Sequence, residues 1–296
     1  MSGILVALVL GSSLLHGSWN LLVKRSIDKA VFSWLASVVA AVVMLPFAVG
    51  WWGAWSDQSW RSLWAVFSGG WQSIYVILLA LAYEHTDLSI AYPLSRGWAP
   101  VFLLPITVGL MHESVALPAG VGIAVIVFGS YILHLRSLRL REWAAPLRAA
   151  GEKGSLLALA TAVTIAVFHA IDKHGVSGSA VQLSVVYLWL IQIGIIVWVG
   201  VYLAATGRWR NIGREWRLRW REVVAMALMG FAAYLLILIA FQIGGKASYV
   251  VPFRNTSIVI GVLLGALHLG EESGGMRVAA AVLIALGTAM IALSPG

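Results

Sequence analysis

The chain has no cysteine, which excludes disulfides and thiolate metal sites. Charge is also scarce: charged residues make up 11% of 296 positions, and 12 acids face 20 lysines and arginines. Apolar residues fill the space, at 60% hydrophobic content and a mean hydropathy of +0.90. That balance lies far from a soluble average and implies an all-α integral membrane protein. No HExxH or GxSxG motif occurs, and the seven histidines are scattered without ligand spacing. The expectation is therefore no enzyme, no metal and no cofactor.

The basic excess collects between apolar segments, at Arg136, Arg139, Arg141, Arg148 and Lys153, then at Arg208, Arg210, Arg214, Arg217, Arg219 and Arg221. Such runs set topology in a membrane protein and do not require nucleic acid. "MSGILVALVL" has no basic stretch ahead of it, so the first segment is expected to persist as a helix rather than to be a cleaved signal.

A spanning helix needs roughly 20 mostly apolar residues. Windows near 3–23, 31–50, 62–83, 88–111, 115–135, 155–173, 180–205, 223–243, 247–269 and 275–293 meet or nearly meet that length. Tryptophans cluster at their ends, as in "WWGAWSDQSW" and around Trp209, Trp216 and Trp220, where interfacial anchors are expected. Lysine and arginine favour alternate connectors, starting with Lys24, Arg25 and Lys29. The basic set is expected inside the cell and both termini outside.

The chain also repeats. Shifting residues 80–133 by 158 positions places Ala82 on Ala240, Arg96 on Arg254, Glu113 on Glu271 and Gly129 on Gly287. Earlier in each half, "WNLLVK" from Trp19 answers "FHAIDK" from Phe168. Five helices per half is an odd number, so the second half is expected to insert upside down. The division is 1–135, a basic connector 136–154, and 155–296.

These features resemble the drug/metabolite transporter superfamily, EamA-type branch, across nearly the whole length. The residues that carry the resemblance are "HGSWNLLVKRSIDKAVFSW", "AYPLSRGWAP", "VPFRNTSIVIG", and a glutamate before a glycine-bearing helix in each half. The resemblance implies a ten-helix carrier in a plasma membrane, a bacterial inner membrane by kinship, that alternates access to a central cavity. Many bacterial members have a basic N-terminus and begin inside; the reverse bias here means that transport direction cannot be borrowed from them.

Arg96 lies roughly 12 Å into a hydrocarbon core about 30 Å thick, and Arg254 roughly 10 Å in from the opposite side. A guanidinium at that depth costs about 2.5 to 3.5 kcal/mol on insertion scales, so each is expected to face water or protein. A guanidinium presents a fork of donors suited to carboxylate or phosphate. The alternative is a structural arginine that holds carbonyls of a broken helix or pairs with Glu84 or Asp87. Pro93, Pro100 and Pro105 each remove a backbone donor, freeing carbonyls near 89, 96 and 101, which must be met inside the protein.

Further lining candidates are His16, Trp19 and Asn20 on one face of the first helix, His169 on the sixth, and Gln72, Tyr83, Tyr92, Trp98, Tyr249 and Asn255 elsewhere. His16 and Asp172 are candidates to carry a coupling proton. Glu113 is expected to complement a helix N-terminal dipole, and Gly122, Gly129 and Gly287 to permit close helix packing. The expected activity is secondary transport of a small polar metabolite: amino-acid-like, an organic acid or phosphorylated. A lipid-linked substrate flippase and a non-transporting membrane sensor or assembly protein are the alternatives. Expected partners are the solute and the bilayer, for a monomer or homodimer.

Overall fold

A computed structural model describes residues 1–24, 26–85, 88–132, 152–260 and 275–295, with the side chains of residues 20, 21, 24, 88–90, 92, 93 and 277 outside the described set. The regular structure among them is helical. The first half comprises α1 (Gly3–Lys24), α2 (Lys29–Gly50), α3 (Trp52–Ser56), α4 (Arg61–His85), α5 (Leu88–Gly97), α6 (Ala99–Gly109) and α7 (Leu117–Ile132). The second comprises α8 (Lys153–Val176), α9 (Leu183–Ala205), α10 (Ile212–Gln242), α11 (Ala247–Arg254) and α12 (Gly275–Leu293). Among the described residues, five helical runs are long and apolar enough to cross a membrane: α2, α4, α8, α9 and Arg208–Gln242. Shorter apolar helices occupy Gly3–Trp19, Leu117–Ile132 and Val278–Leu293.

The burial pattern inverts that of a soluble protein. Val42, Phe47, Val66, Phe67, Val197 and Leu286 are exposed, while Ser12, His16, Arg96, Asp172 and Arg254 are buried. Lipid can solvate the first set and not the second, so the helices turn their polar faces inward.

Three elements depart from the sequence windows. The window 88–111 is two helices, broken at Trp98 between Gly97 and Ala99, because Pro100 cannot donate to the preceding turn. α10 starts well before its apolar window: the arginine-rich run from 214 is helical, with a non-helical residue at Arg219. Glu215 explains that extension. It is buried, and its carboxylate accepts from Ile27 N and Asp28 N at 3.2 and 3.0 Å, just ahead of α2. Finally, Trp55 of α3 is no interfacial anchor: it is buried and donates to Ser62 Oγ at 3.0 Å.

Small residues bring the helices together. α8 runs along α4, α1 along α10, and α7 along α12. A Cβ on Gly122 would stand 2.7 Å from the Gly287 carbonyl oxygen, and one on Gly287 2.5 Å from that of Gly122. Gly122→Val is expected to destabilise by about 1–3 kcal/mol, lowering the melting temperature in detergent. Gly70→Ala meets nothing within 4 Å and is expected to raise it slightly through helix propensity. Equal melting of both variants would refute the packing role.

Candidate functional site

The site begins with the break after α5. Pro100 has no N–H, so the Arg96 carbonyl lacks its helical donor four residues on. Asn255 Nδ2 supplies one instead, at 3.2 Å, from the end of α11. α11 ends at Arg254, where Ser13 Oγ donates to the Arg254 carbonyl at 3.2 Å. Each arginine thus marks a helix break, and each break is satisfied by a side chain from elsewhere in the chain.

Both arginines line one cavity. They are 7% and 6% exposed. Arg96 Nη2 donates to Tyr75 Oη at 2.8 Å, and its guanidinium lies 5.5 Å from the Tyr75 ring centre. The Arg254 guanidinium lies 5.5 Å from the Tyr234 ring centre. Phe168 stands between the two tyrosines, with ring centres 5.7 Å from Tyr75 and 6.1 Å from Tyr234. The wall of the cavity is therefore three rings with a guanidinium at either end. Arg254 Nη2 also meets His16 Nδ1 at 3.2 Å; a guanidinium only donates, so Nδ1 accepts.

Val23, Lys29 and Tyr83 line the cavity near the C-terminal end of α1, the N-terminal end of α2 and the C-terminal end of α4, and Met226 of α10 lines it too. The opposite end is closed by polar side chains on backbone carbonyls. Lys173 Nζ donates to Phe241 O at 2.9 Å, Arg61 Nη1 to Gly175 O at 2.5 Å, and Lys246 Nζ to Ser114 O at 2.8 Å. Glu113 accepts from Ala247 N and Ser248 N at 2.8 and 2.9 Å. It does complement a helix N-terminus, but that of α11 rather than the helix that follows it.

Asp172 lies between the cavity and this closed end. It is fully buried, accepting from Tyr187 Oη at 3.0 Å, Gln72 Nε2 at 3.4 Å and Tyr234 Oη. Tyr234 therefore carries Arg254 on its ring and Asp172 on its hydroxyl.

Of the candidate residues, His16, Trp19, Gln72, Tyr83, Arg96 and Arg254 line the cavity. His169 does not. It stacks on Phe168 at 4.4 Å, and its Nδ1 donates to Ile165 O at 2.7 Å. Asn255 serves the Arg96 carbonyl, and Tyr249 Oη accepts from Ala116 N at 2.9 Å near the closed end. Trp98 lines an apolar groove with α6 and α7 residues instead. The side chains of Asn20 and Tyr92 lie outside the described residues, as do Asp87, Glu271 and most of the 136–154 connector. Glu84 does not reach Arg96: it pairs with Arg208 at 2.6 Å. Phe168, on the face of the sixth apolar window expected to suit a cavity lining, does line it, whereas sequence reasoning missed Lys29, Tyr187 and Gln192. Only Gln192, a lone amide in an apolar run, left a visible signal.

Residues 152–293 match the EamA-like transporter family. They belong to that family, and with it to the drug/metabolite transporter superfamily. Its members are transporters and not enzymes, and the matched helices are those of a multi-pass membrane protein. A solved structure described as "Crystal structure of protein" is 16% identical over 98% of this chain and 96% of its own, with a TM-score of 0.66. At that identity the likeness is one of fold. A search of curated proteins finds no match.

The Asp172 cluster can be tested without a ligand. Tyr187→Phe keeps the ring beside Trp55 and removes the hydroxyl from a buried carboxyl, at a cost of about 1–3 kcal/mol. A lowered melting temperature is expected, and an unchanged one would mean that Asp172 does not depend on this donor.

Proposed function

We propose that the protein is a secondary-active carrier that moves a small anionic metabolite by alternating access, with Arg96 and Arg254 holding the anion. The observation that carries this reading is the meeting of two deeply buried guanidinium groups, one from each half of the chain, in a single cavity. A charge at such depth is costly unless it serves a pathway or a partner, and planar donor forks suit carboxylate or phosphate.

On this reading the chain is ten spans in two inverted halves, 1–135 and 155–296, joined by the basic connector. The α7–α12 crossing supports the symmetry. Shifting by 158 exchanges Gly122 with Ala280 and Gly129 with Gly287, and the contacts obey the exchange: a Cβ on Gly122 meets the Gly287 oxygen, and one on Gly129 meets the Ala280 oxygen at 3.1 Å. The basic ends would face the cytoplasm of a bacterial inner membrane, leaving both termini outside and the cavity open inward. The N-terminal amine, bonded to the carbonyls of Ala292 and Ser294, keeps the two termini on one side. A cytoplasm-dependent reporter fused to the N-terminus is expected to be silent, and an active one overturns the orientation.

Proton coupling is assigned to Asp172, which joins the cavity to the closed end through Tyr234. His16 instead orients Arg254. In proteoliposomes, Arg96→Lys and Arg254→Lys keep the charge and lose the fork. Each is expected to lower solute counterflow about tenfold, the equivalent of about 1.4 kcal/mol. Full counterflow in both would sink the clamp. Asp172→Asn is expected to lose accumulation driven by a pH gradient while counterflow persists; accumulation equal to the parent's removes Asp172 from coupling.

A further inference from the structure

α10 is longer than a membrane needs. At 1.5 Å per residue its apolar part, 223–242, covers about 30 Å, the thickness of the hydrocarbon core, so the turn and helix over 208–222 lie at the edge of the lipid and beyond it. Six arginines and two glutamates fall in that segment. Arg208 pairs with Asp28 and Glu84, Arg219 pairs with Glu222 at 3.2 Å, and Glu215 turns inward onto Ile27 N and Asp28 N. Both glutamates and two arginines are thereby engaged. Arg210, Arg214, Arg217 and Arg221 are exposed. Their described contacts stay within the segment: Arg217 Nε donates to Gly213 O at 3.2 Å, and the Arg221 guanidinium lies 5.4 Å from the Trp220 ring centre.

The exposed side of the segment is not only charged. Trp216, Leu218 and Trp220 alternate with the arginines and are 40%, 60% and 48% exposed. Large apolar groups at the hydrocarbon edge gain burial only where lipid covers them, and indoles settle at the level of the headgroups. A free anion or a nucleic acid in water would leave Leu218 uncovered. A phospholipid offers phosphate to the guanidinium forks and its glycerol and acyl carbons to the apolar side chains between them.

We propose that Arg214, Arg217 and Arg221, with Trp216 and Trp220 among them, bind the phosphate groups of anionic phospholipids in the leaflet that this end of the molecule meets. Phosphatidylglycerol suits the face better than phosphatidylcholine, whose ammonium offsets the charge of its phosphate. The bound lipid clamps from outside a segment that Glu215 and Arg208 tie from inside to the start of α2, where Lys29 lines the cavity. Such a site does not depend on what the cavity carries.

Native mass spectrometry of the full-length protein in detergent, with equal amounts of phosphatidylglycerol and phosphatidylcholine of the same acyl chains, reads the preference directly. Phosphatidylglycerol is expected to be retained at least about fivefold over phosphatidylcholine, and added sodium chloride to reduce that preference. Arg214→Gln, Arg217→Gln and Arg221→Gln together are expected to bring retention to parity. Because these side chains are exposed, the triple variant is expected to melt within about 2 °C of the parent in phosphatidylcholine. Should it fail to fold, each single replacement is expected to lower the preference in part. A control removes the same charge elsewhere: Arg136→Gln, Arg139→Gln and Arg141→Gln together are expected to keep the preference. Equal retention of both lipids by the parent overturns the site, as does a preference that survives the triple or all three single replacements, or one that the control loses equally. Displacement of the lipid by glycerol phosphate or by a short RNA at matched phosphate concentration overturns it too, since the face would then be a site for soluble anions or nucleic acid.

Discussion

A backbone carbonyl inside a bilayer must find a donor within the protein, and the carbonyl of Arg96 has lost its own to Pro100. The Asn255 amide that replaces it reaches across from the opposite half of the chain, so the break in α5–α6 is held by the segment that contains the break after α11. Ser13 does the same for the Arg254 carbonyl. Because water is excluded, these bonds cannot be exchanged for solvent without penalty. They tie the two arginine-bearing segments to each other and to α1. The cavity exists where it does because both breaks must stay at its wall.

Once the breaks are fixed, the charge follows. Each guanidinium leaves a helix end and lies on a tyrosine from the long helix of its own half, Tyr75 for Arg96 and Tyr234 for Arg254. Phe168 joins the tyrosines into a continuous aromatic wall. Such a wall gives each guanidinium an aromatic face to lie against. The acids near the mouth serve a different purpose. Asp28, Glu84 and Arg208 join α2, α4 and the turn before α10.

The two ends of the molecule are built differently. Toward the basic connectors the cavity is lined by separate helix ends. Toward the other, cationic side chains grip backbone carbonyls and Glu113 grips the start of α11. Bonds of this type are modest in net strength, about 0.5–3 kcal/mol each, and so can be exchanged between states. Glycine contacts between α7 and α12 and between Gly69 and Gly194 involve backbone against backbone, and they change only by sliding.

Composition by itself determined the membrane class, because 60% hydrophobic residues with 11% charged leave no soluble alternative. Periodic apolar runs located the helices, and depth counting identified Arg96 and Arg254 as residues needing a polar setting. The prolines even marked which carbonyl would need a partner. Contacts across the chain were another matter. That Asn255 would be the partner, that Glu84 would go to Arg208, or that Glu113 would cap α11 depended on which helices lie side by side, and a local window carries no such information. Tyr187 was invisible for the same reason: an aromatic residue in an apolar run looks like core until its neighbours are known. Tertiary structure alone decided which polar groups meet, because in a low-dielectric interior each must be paired by whatever the packing brings within about 3 Å.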